Sequence, residues 1–562
     1  MSGFELQFLV PVVFSDVYHH QAGCIRCKSP NAGVPVKGIL QMGPGPFRLA
    51  AFCVWMNVFP AIAANYYVDA AGGNDGGAGI TPVSAWKSLA KANAAILNPG
   101  DSLLFKSGGM WTGQLHPKGS GTIGKPNVIA TFGGTQKALI IGNGLIGQGV
   151  LYLNGQSNWD IGGLEITNDA NDSADRRGVS IVGPTAQIRL HDLFVHHIAG
   201  IPGQDLVAKA TGGMGFTGGG QDILVENCEI FHVDNTGLYT NNGNYTGLHI
   251  KNNVVHDIAK NAMIIRGADG TSVIEYNVCY QTCVRGVTTG NTIFSANCNG
   301  TTFQYNEGYL NNSTGGYDGS LYDCDINGGS DTKWQYSYSH DNNHGLMWFC
   351  TNANDVGIKV RYNISQNDKG RIFTFAFPLG HADIYNNTVY IGSNANPVIL
   401  YEEGQQYNYS FYNNIIYNLS PGATYHFANA TRQFDYNLFF GAHPANEPAD
   451  PHKLTSDPLF VFPGSGQIGI RTVDGYQLKP GSPCINSGMV LANNGGQDYS
   501  GSPIFQAPDR GAWEWQGSVG ILDPFQGHRD GSSRISFIRM VKQGSGMRFF
   551  QNGRMFNALG KE

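Results

Sequence analysis

The chain has 562 residues, with 35 Lys and Arg against 41 Asp and Glu, a formal net charge of −6 and a pI near 6.2. No basic stripe breaks that balance, which argues against nucleic acid as a partner. With 77 Gly, 11% aromatic and only 14% charged residues, the composition excludes a disordered or mainly helical chain and suits a turn-rich all-β one.

Near the N-terminus, Arg48 precedes an apolar run, Leu49 to Phe59, followed by Pro60 and Ala61-Ile62-Ala63. The run is too short to span a bilayer, and its small-residue end reads as a secretory cleavage site. Met42 is then the expected start, residues 1–41 a spurious extension and residues 42–64 the signal peptide. The expected location is secreted, or periplasmic in a Gram-negative source. Loss of the leader leaves seven cysteines, at positions 228, 279, 283, 298, 324, 350 and 484. An odd number requires at least one free or intermolecular thiol.

Helical periodicity is confined to SAWKSLAKANAAI, Ser84 to Ile96, which predicts a short cap helix with Ser84 as N-cap. Between residues 220 and 440 one phrase recurs: an apolar or β-branched run, an Asn, and another apolar run. The slot falls at Asn227, Asn253, Asn277, Asn306, Ser337, Asn363, Asn387, Asn414 and Asn437, at spacings of 23 to 31 residues. Such a period marks stacked supersecondary units, none able to bury its apolar face alone. Alternating Val, Ile, Tyr and Phe make the unit all-β, so the expected fold is a right-handed parallel β-helix over residues 65–516. The recurrent Asn is expected to form an internal ladder at the bend between strands. A solenoid grows by adding coils, so one domain accounts for the length.

Acidic residues gather in GGYDGSLYDCDINGGSDTKWQYSYSHDNNHGLMWF (315–349) and in the next repeat, VRYNISQNDKGRIF (360–373). Period-2 alternation puts Asp323 and Asp325 on one face of a strand, with Tyr322, Cys324 and Ile326 on the other. Because the interior of such a solenoid is dry, Asp318, Asp323, Asp325, Asp341 and Asp368 are expected to face outward. His340, His344, Lys369 and Arg371 share the stretch, and Tyr317, Tyr322, Trp334, Tyr336 and Trp348 are candidates to stack on sugar rings. A weaker patch is His256-Asp257 with Lys260 and Arg266; Glu402-Glu403 reads as a solvated edge. The tail after Gly517 is basic, lacks the repeat phrase, and is expected to be a partly disordered appendage.

The opening NYYVDAAGGNDGGAGITPVSAWKSLAKANAAILNPGDSLLFKSGGMWTGQL and the closing DGYQLKPGSPCINSG…DRGAWEW resemble the first and last coils of secreted β-helix proteins of the pectate-lyase-like superfamily. That resemblance implies the fold, secretion and a carbohydrate ligand. The superfamily spans hydrolases, lyases, uronan epimerases and tailspikes, so activity has to come from the site.

Clustered carboxylates fit several chemistries. One protonated acid with a second, ionised carboxylate hydrolyses glycosides. A bound Ca²⁺ that neutralises a substrate uronate, with Lys369 or Arg371 as base, gives β-elimination or, with proton return, C5 epimerisation. An adhesin-like module would hold a glycan without cutting it. The DGSLYD…HDNNHG layout resembles the Ca²⁺-dependent pectate lyases of polysaccharide lyase family 9. Asp318 matches their first calcium ligand, but Asn343, His344 and Met347 stand where their other ligands are carboxylates, and Asp323 stands where they carry a lysine. Carboxylates outnumber candidate bases, so the expectation is a monomeric, secreted glycoside hydrolase. It would take a polysaccharide as its partner and no membrane, with Ca²⁺ the one cofactor considered.

Overall fold

The computed structural model describes residues 63–203, 211–316, 318–325, 329–505 and 507–517, with three further strands at Ile538–Gln543, Gly546–Gln551 and Arg554–Phe556. The expected extension, the signal peptide up to residue 62, and Tyr317 lie outside the described residues.

From Asn65 the chain winds through three parallel sheets of 15, 13 and 11 strands, here sheets 1, 2 and 3. One coil runs Gly220–Glu226 on sheet 1, Glu229–Val233 on sheet 2 and Thr236–Asn241 on sheet 3, then returns to sheet 1 at His249–Lys251. Each strand pairs in parallel with its equivalents one coil before and after, as Val225 with Ile250 and Ile250 with Ile274. Like residues therefore stack about 4.8 Å apart. The inward column that holds these residues continues through Phe303 and Trp334, whose rings stack at 4.0 Å. Such columns merge into one core cluster running from Val68 to Phe439. This is the all-β parallel β-helix the repeat predicts.

The Asn ladder is present. Asn253 Nδ2 donates to Asn277 Oδ1 at 3.0 Å, Asn277 to Asn306 at 3.0 Å, Asn363 to Asn387 at 3.0 Å, Asn387 to Asn414 at 3.0 Å and Asn414 to Asn437 at 3.1 Å. Each amide also caps a strand carbonyl, which satisfies buried backbone groups where the chain turns. At Ser337 the hydroxyl still accepts from the Asn306 backbone amide at 3.1 Å but does not meet its Nδ2. The phenol of Tyr322 fills the gap, accepting from Asn306 Nδ2 at 3.2 Å and donating to Ser337 Oγ at 2.6 Å.

One slot is corrected. Asn227 is left-handed, with φ 54°, and the ladder position is Cys228, whose amide donates to Asn253 Oδ1 at 3.0 Å. The residue before each slot makes the left-handed bend, at Asn252, Tyr276, Tyr305, Tyr336, Tyr362, Asn386, Asn413 and Tyr436. Asn tolerates that conformation in either place, so VENCEI offered it one residue early.

The cap helix is shorter than expected, Leu89–Ala94, with Ser88 as its N-cap; Pro82–Ser84 is a separate 3-10 turn capped by Thr81. Asp75 Oδ1 accepts from the amides of Lys87 and Ser88 at 2.8 and 3.0 Å, which withdraws them from a continuous helix. At the far end, residues 456–505 and 507–516 fold back as a strap over sheet 2 and the corner between sheets 1 and 2. Gly469 N donates to Glu307 Oε1 at 2.6 Å, Gly466 N to Gln366 Oε1 at 3.0 Å, and Asn386 Nδ2 to the Gly511 carbonyl at 3.0 Å. Among the described residues of the tail, Ile538–Gln543, Gly546–Gln551 and Arg554–Phe556 form a three-stranded antiparallel sheet.

Candidate functional site

Sheet 3 keeps part of the expected acidic stretch together. Its strands Ile293–Ala296, Tyr322–Asp325, Met347–Cys350 and Arg371–Phe375 lie side by side. Alternation works as expected. Tyr322 and Cys324 are in the core, while Asp323 and Asp325 point to the outer side. One outward row reads Phe294, Asp323, Trp348, Thr374, Tyr401; the next reads Arg266, Ala296, Asp325, Cys350.

The loop before the Asp323 strand brings in Asp318. Ser313 Oγ donates to the Asp318 carbonyl at 2.5 Å, and the amides of Gly319 and Ser320 both donate to Asn291 Oδ1, at 2.7 and 2.9 Å. Gly319 must be glycine, since a Cβ there would stand 2.5 Å from the His344 ring. His344 Nε2 donates to the Gly315 carbonyl at 3.0 Å, so its Nδ1 is an acceptor, and it is buried with no partner. Burial and the Arg371 charge hold His344 toward the neutral form against the Gly315 contact.

The three carboxyls are not equivalent. Asp318 and Asp325 are half-buried, whereas Asp323 is 2% exposed. Burial, then the fields of Asp325 and Asp318, push Asp323 well above the carboxylate range, opposed only by a 2.7 Å hydrogen bond from Asn291 Nδ2 to its Oδ2. Burial and the two neighbouring carboxyls thus favour the neutral acid over the carboxylate at Asp323. Cys350 lies beside Asp325 and hydrogen-bonds to it, its thiol kept protonated by burial first and by the neighbouring Asp325 charge. A neutral acid between two accessible carboxylates is a proton-handling arrangement.

Other expected members are elsewhere. Asp368 faces inward: at the corner between sheets 2 and 3 its Oδ1 ends a second polar ladder, accepting from Asn342 Nδ2 at 3.0 Å, while Oδ2 accepts from Ser339 and Ser365, each at 2.7 Å. The dry interior admits a carboxyl that has four donors. Burial lifts it to about 6 even against those hydrogen bonds. His340 and Asp341 stand on the sheet 2 side, less than a full coil from Asp323. His340 Nδ1 donates to Asp341 at 2.9 Å and Nε2 to Glu307 at 3.2 Å. Tyr322 and Trp334 are core residues at 0% exposure, and Tyr336 is buried in a stack of corner tyrosines, 5.0 Å from Tyr305. None of these three can offer a face to sugar. Trp348 does border Asp323 but is buried. Arg371 lies over the Tyr401 ring at 3.6 Å and pairs with Glu403 at 3.2 Å; Lys369 is exposed at the adjoining turn.

The weaker patch divides in the same way: His256 stacks between Phe231 and Tyr280 on sheet 2, while Arg266 joins the Asp325 row on sheet 3. Glu402, expected at a solvated edge, is buried against Arg432 at 3.0 Å. Sequence reasoning missed Asn291, Cys350 and Tyr401. Their signal was register: Cys350 and Tyr401 stand on sheet 3 one or a few coils from the aspartates, and Asn291 lies just before the sheet 3 strand one coil earlier. Among the described residues no group of three or more His, Cys, Asp and Glu side chains is arranged to hold a metal ion.

No family model matches the chain. Among curated proteins it is 27% identical over 590 aligned residues to a lacto-N-biosidase of Bifidobacterium longum subsp. longum, a match covering 80% of this chain and 36% of that protein. The chain thus spans about a third of the length of the curated relative it matches. Among solved structures it is similar to a GH136 lacto-N-biosidase from Eubacterium ramulus, with a TM-score of 0.53 and 21% identity over 62% of this chain and 68% of that one. An alginate lyase from Paenibacillus sp. matches with a TM-score of 0.40 and 16% identity, over 57% of this chain and 97% of that one. The likeness to the Eubacterium structure is one of fold.

Proposed function

We propose that the chain is a secreted glycoside hydrolase whose catalytic pair is Asp318 and Asp325, acting on a glycan bound along the outer side of sheet 3. One observation carries this reading: three carboxyls converge on one spot, and only Asp318 and Asp325 retain the exposure needed to touch a substrate. Glycoside cleavage needs two such groups. One protonates the departing oxygen, while the other attacks the anomeric carbon or activates water.

Elimination is the weaker reading, because Arg371, its stronger candidate base, is engaged by Glu403 and Tyr401. The relative's name makes a lacto-N-bioside the first substrate to try, and the leader-like stretch at 42–64 fits an extracellular enzyme. The test is digestion of a lacto-N-bioside and a glycan panel, with new reducing ends and unsaturated-uronate absorbance monitored together. Reducing ends alone are expected. Asp318→Asn and Asp325→Asn should each lower kcat/KM by roughly 10²–10⁴-fold. Unsaturated product would overturn hydrolysis, and full activity in either variant would overturn the pair.

A further inference from the structure

Asn291 is committed in both directions. Its Oδ1 accepts from the amides of Gly319 and Ser320, which fixes the orientation of the side-chain amide, and its Nδ2 is left to donate to Asp323 Oδ2 at 2.7 Å. One side chain therefore ties the two residues that follow Asp318 to the strand that carries Asp323 and Asp325. Asp323 Oδ1, meanwhile, is buried and has no hydrogen-bond partner. An ionised carboxylate held by a single amide, with two further carboxylates beside it, would be heavily penalised; a carboxylic acid is not. Because Oδ2 accepts from Asn291, the proton belongs on Oδ1, where it is a donor without an acceptor in the folded chain. Buried polar atoms of this kind are rare and call for an account.

We propose that Asn291 and Asp323 form a positioning pair that fixes the spacing of Asp318 and Asp325, with Asp323 acting as a neutral acid buried beside them. The proposal rests on the glycosidase reading of Asp318 and Asp325. A neutral Asp323 adds no third negative charge beside them. A strut from Asn291 to the Gly319-Ser320 turn keeps Asp318 from swinging away, and a displacement of about 1 Å at such a site costs on the order of 10²-fold in rate.

The test uses the full chain and a chromogenic glycoside that the wild type cleaves. Infrared difference spectra at neutral pH should show a protonated carboxyl band that disappears in Asp323→Asn. That variant keeps a neutral donor and acceptor in place, so its kcat should fall less than about tenfold, whereas Asp323→Leu and Asn291→Ala should each lose about 10²-fold in kcat with KM little changed. Asn291→Ala should also shift the limbs of the pH–rate profile, which simple loosening of the fold would not do. Melting temperatures within a few degrees of wild type establish that each variant is folded. An absent band, or a folded Asp323→Asn variant as inactive as Asp318→Asn, would sink the neutral-acid role and leave the catalytic pair standing. Activity surviving in Asp318→Asn or Asp325→Asn would remove the pair, and the positioning role with it.

Discussion

Asp323 and Asp368 both read as outward acids, yet only Asp323 adjoins the site, and the difference lies in what each finds to accept from. Asp368 meets Asn342 and two serine hydroxyls, so it becomes a rung of the inner ladder. Its pKa is raised from 3.8 to about 6 by burial. A carboxyl raised in the folded state supports folding fully below its unfolded value, and that support is lost as pH climbs through about 6. Asp368→Asn keeps the shape and discards the titration. It is expected to raise the melting temperature above that pH, flatten the stability profile between the two values, and leave glycan cleavage intact. A large loss of activity in a folded variant would return Asp368 to the catalytic set. Sequence placed Asp323 correctly because alternation within a strand is local. It misplaced Asp368 because nothing in NDKG announces Ser339 and Asn342 one coil back.

At the scale of the element, the ladder was legible because its spacing is the coil itself. Seven of the nine slots are Asn, and each touches its equivalent in the neighbouring coil. Asn387 is representative: its amide binds the Val360 and Tyr385 carbonyls and Asn414 Oδ1, and its own oxygen receives Asn363. Asn387→Ala strands several buried partners at once, each worth roughly 1–3 kcal/mol. Chemical denaturation should therefore show a loss of at least about 3 kcal/mol. The candidate site was less legible for the converse reason. Residues a full coil apart in sequence, such as Asp323 and Trp348, are neighbours in space. Residues closer in sequence, such as Asp323 and His340, belong to different sheets.

Over the whole molecule, the C-terminal strap lies against sheet 2 rather than sheet 3, which carries the proposed site. Its hold on sheet 2 passes through Glu307, which accepts from Gly469 and from His340. Burial depresses the imidazole, but hydrogen bonds to Asp341 and Glu307 outweigh it and lift His340 from 6.5 to about 9. A histidine raised in the folded state contributes fully below its unfolded value, and the contribution fades as pH rises through the folded one. Proteolytic nicking of the strap should accelerate as pH rises from 6.5 to about 9. His340→Gln should be nicked faster at neutral pH and lose that pH step.

Solenoids lengthen by copying coils, and the irregular slot at Ser337 marks where copying stops being neutral. The Tyr322 phenol completes the polar spine at that point, in the strand whose next residue is Asp323. An asparagine at 337, as its neighbours carry, would compete with that phenol for the same space. The coil that bears the acids is thus the one its siblings could not have supplied. Duplications on either side can lengthen the solenoid, but this rung has to be inherited whole.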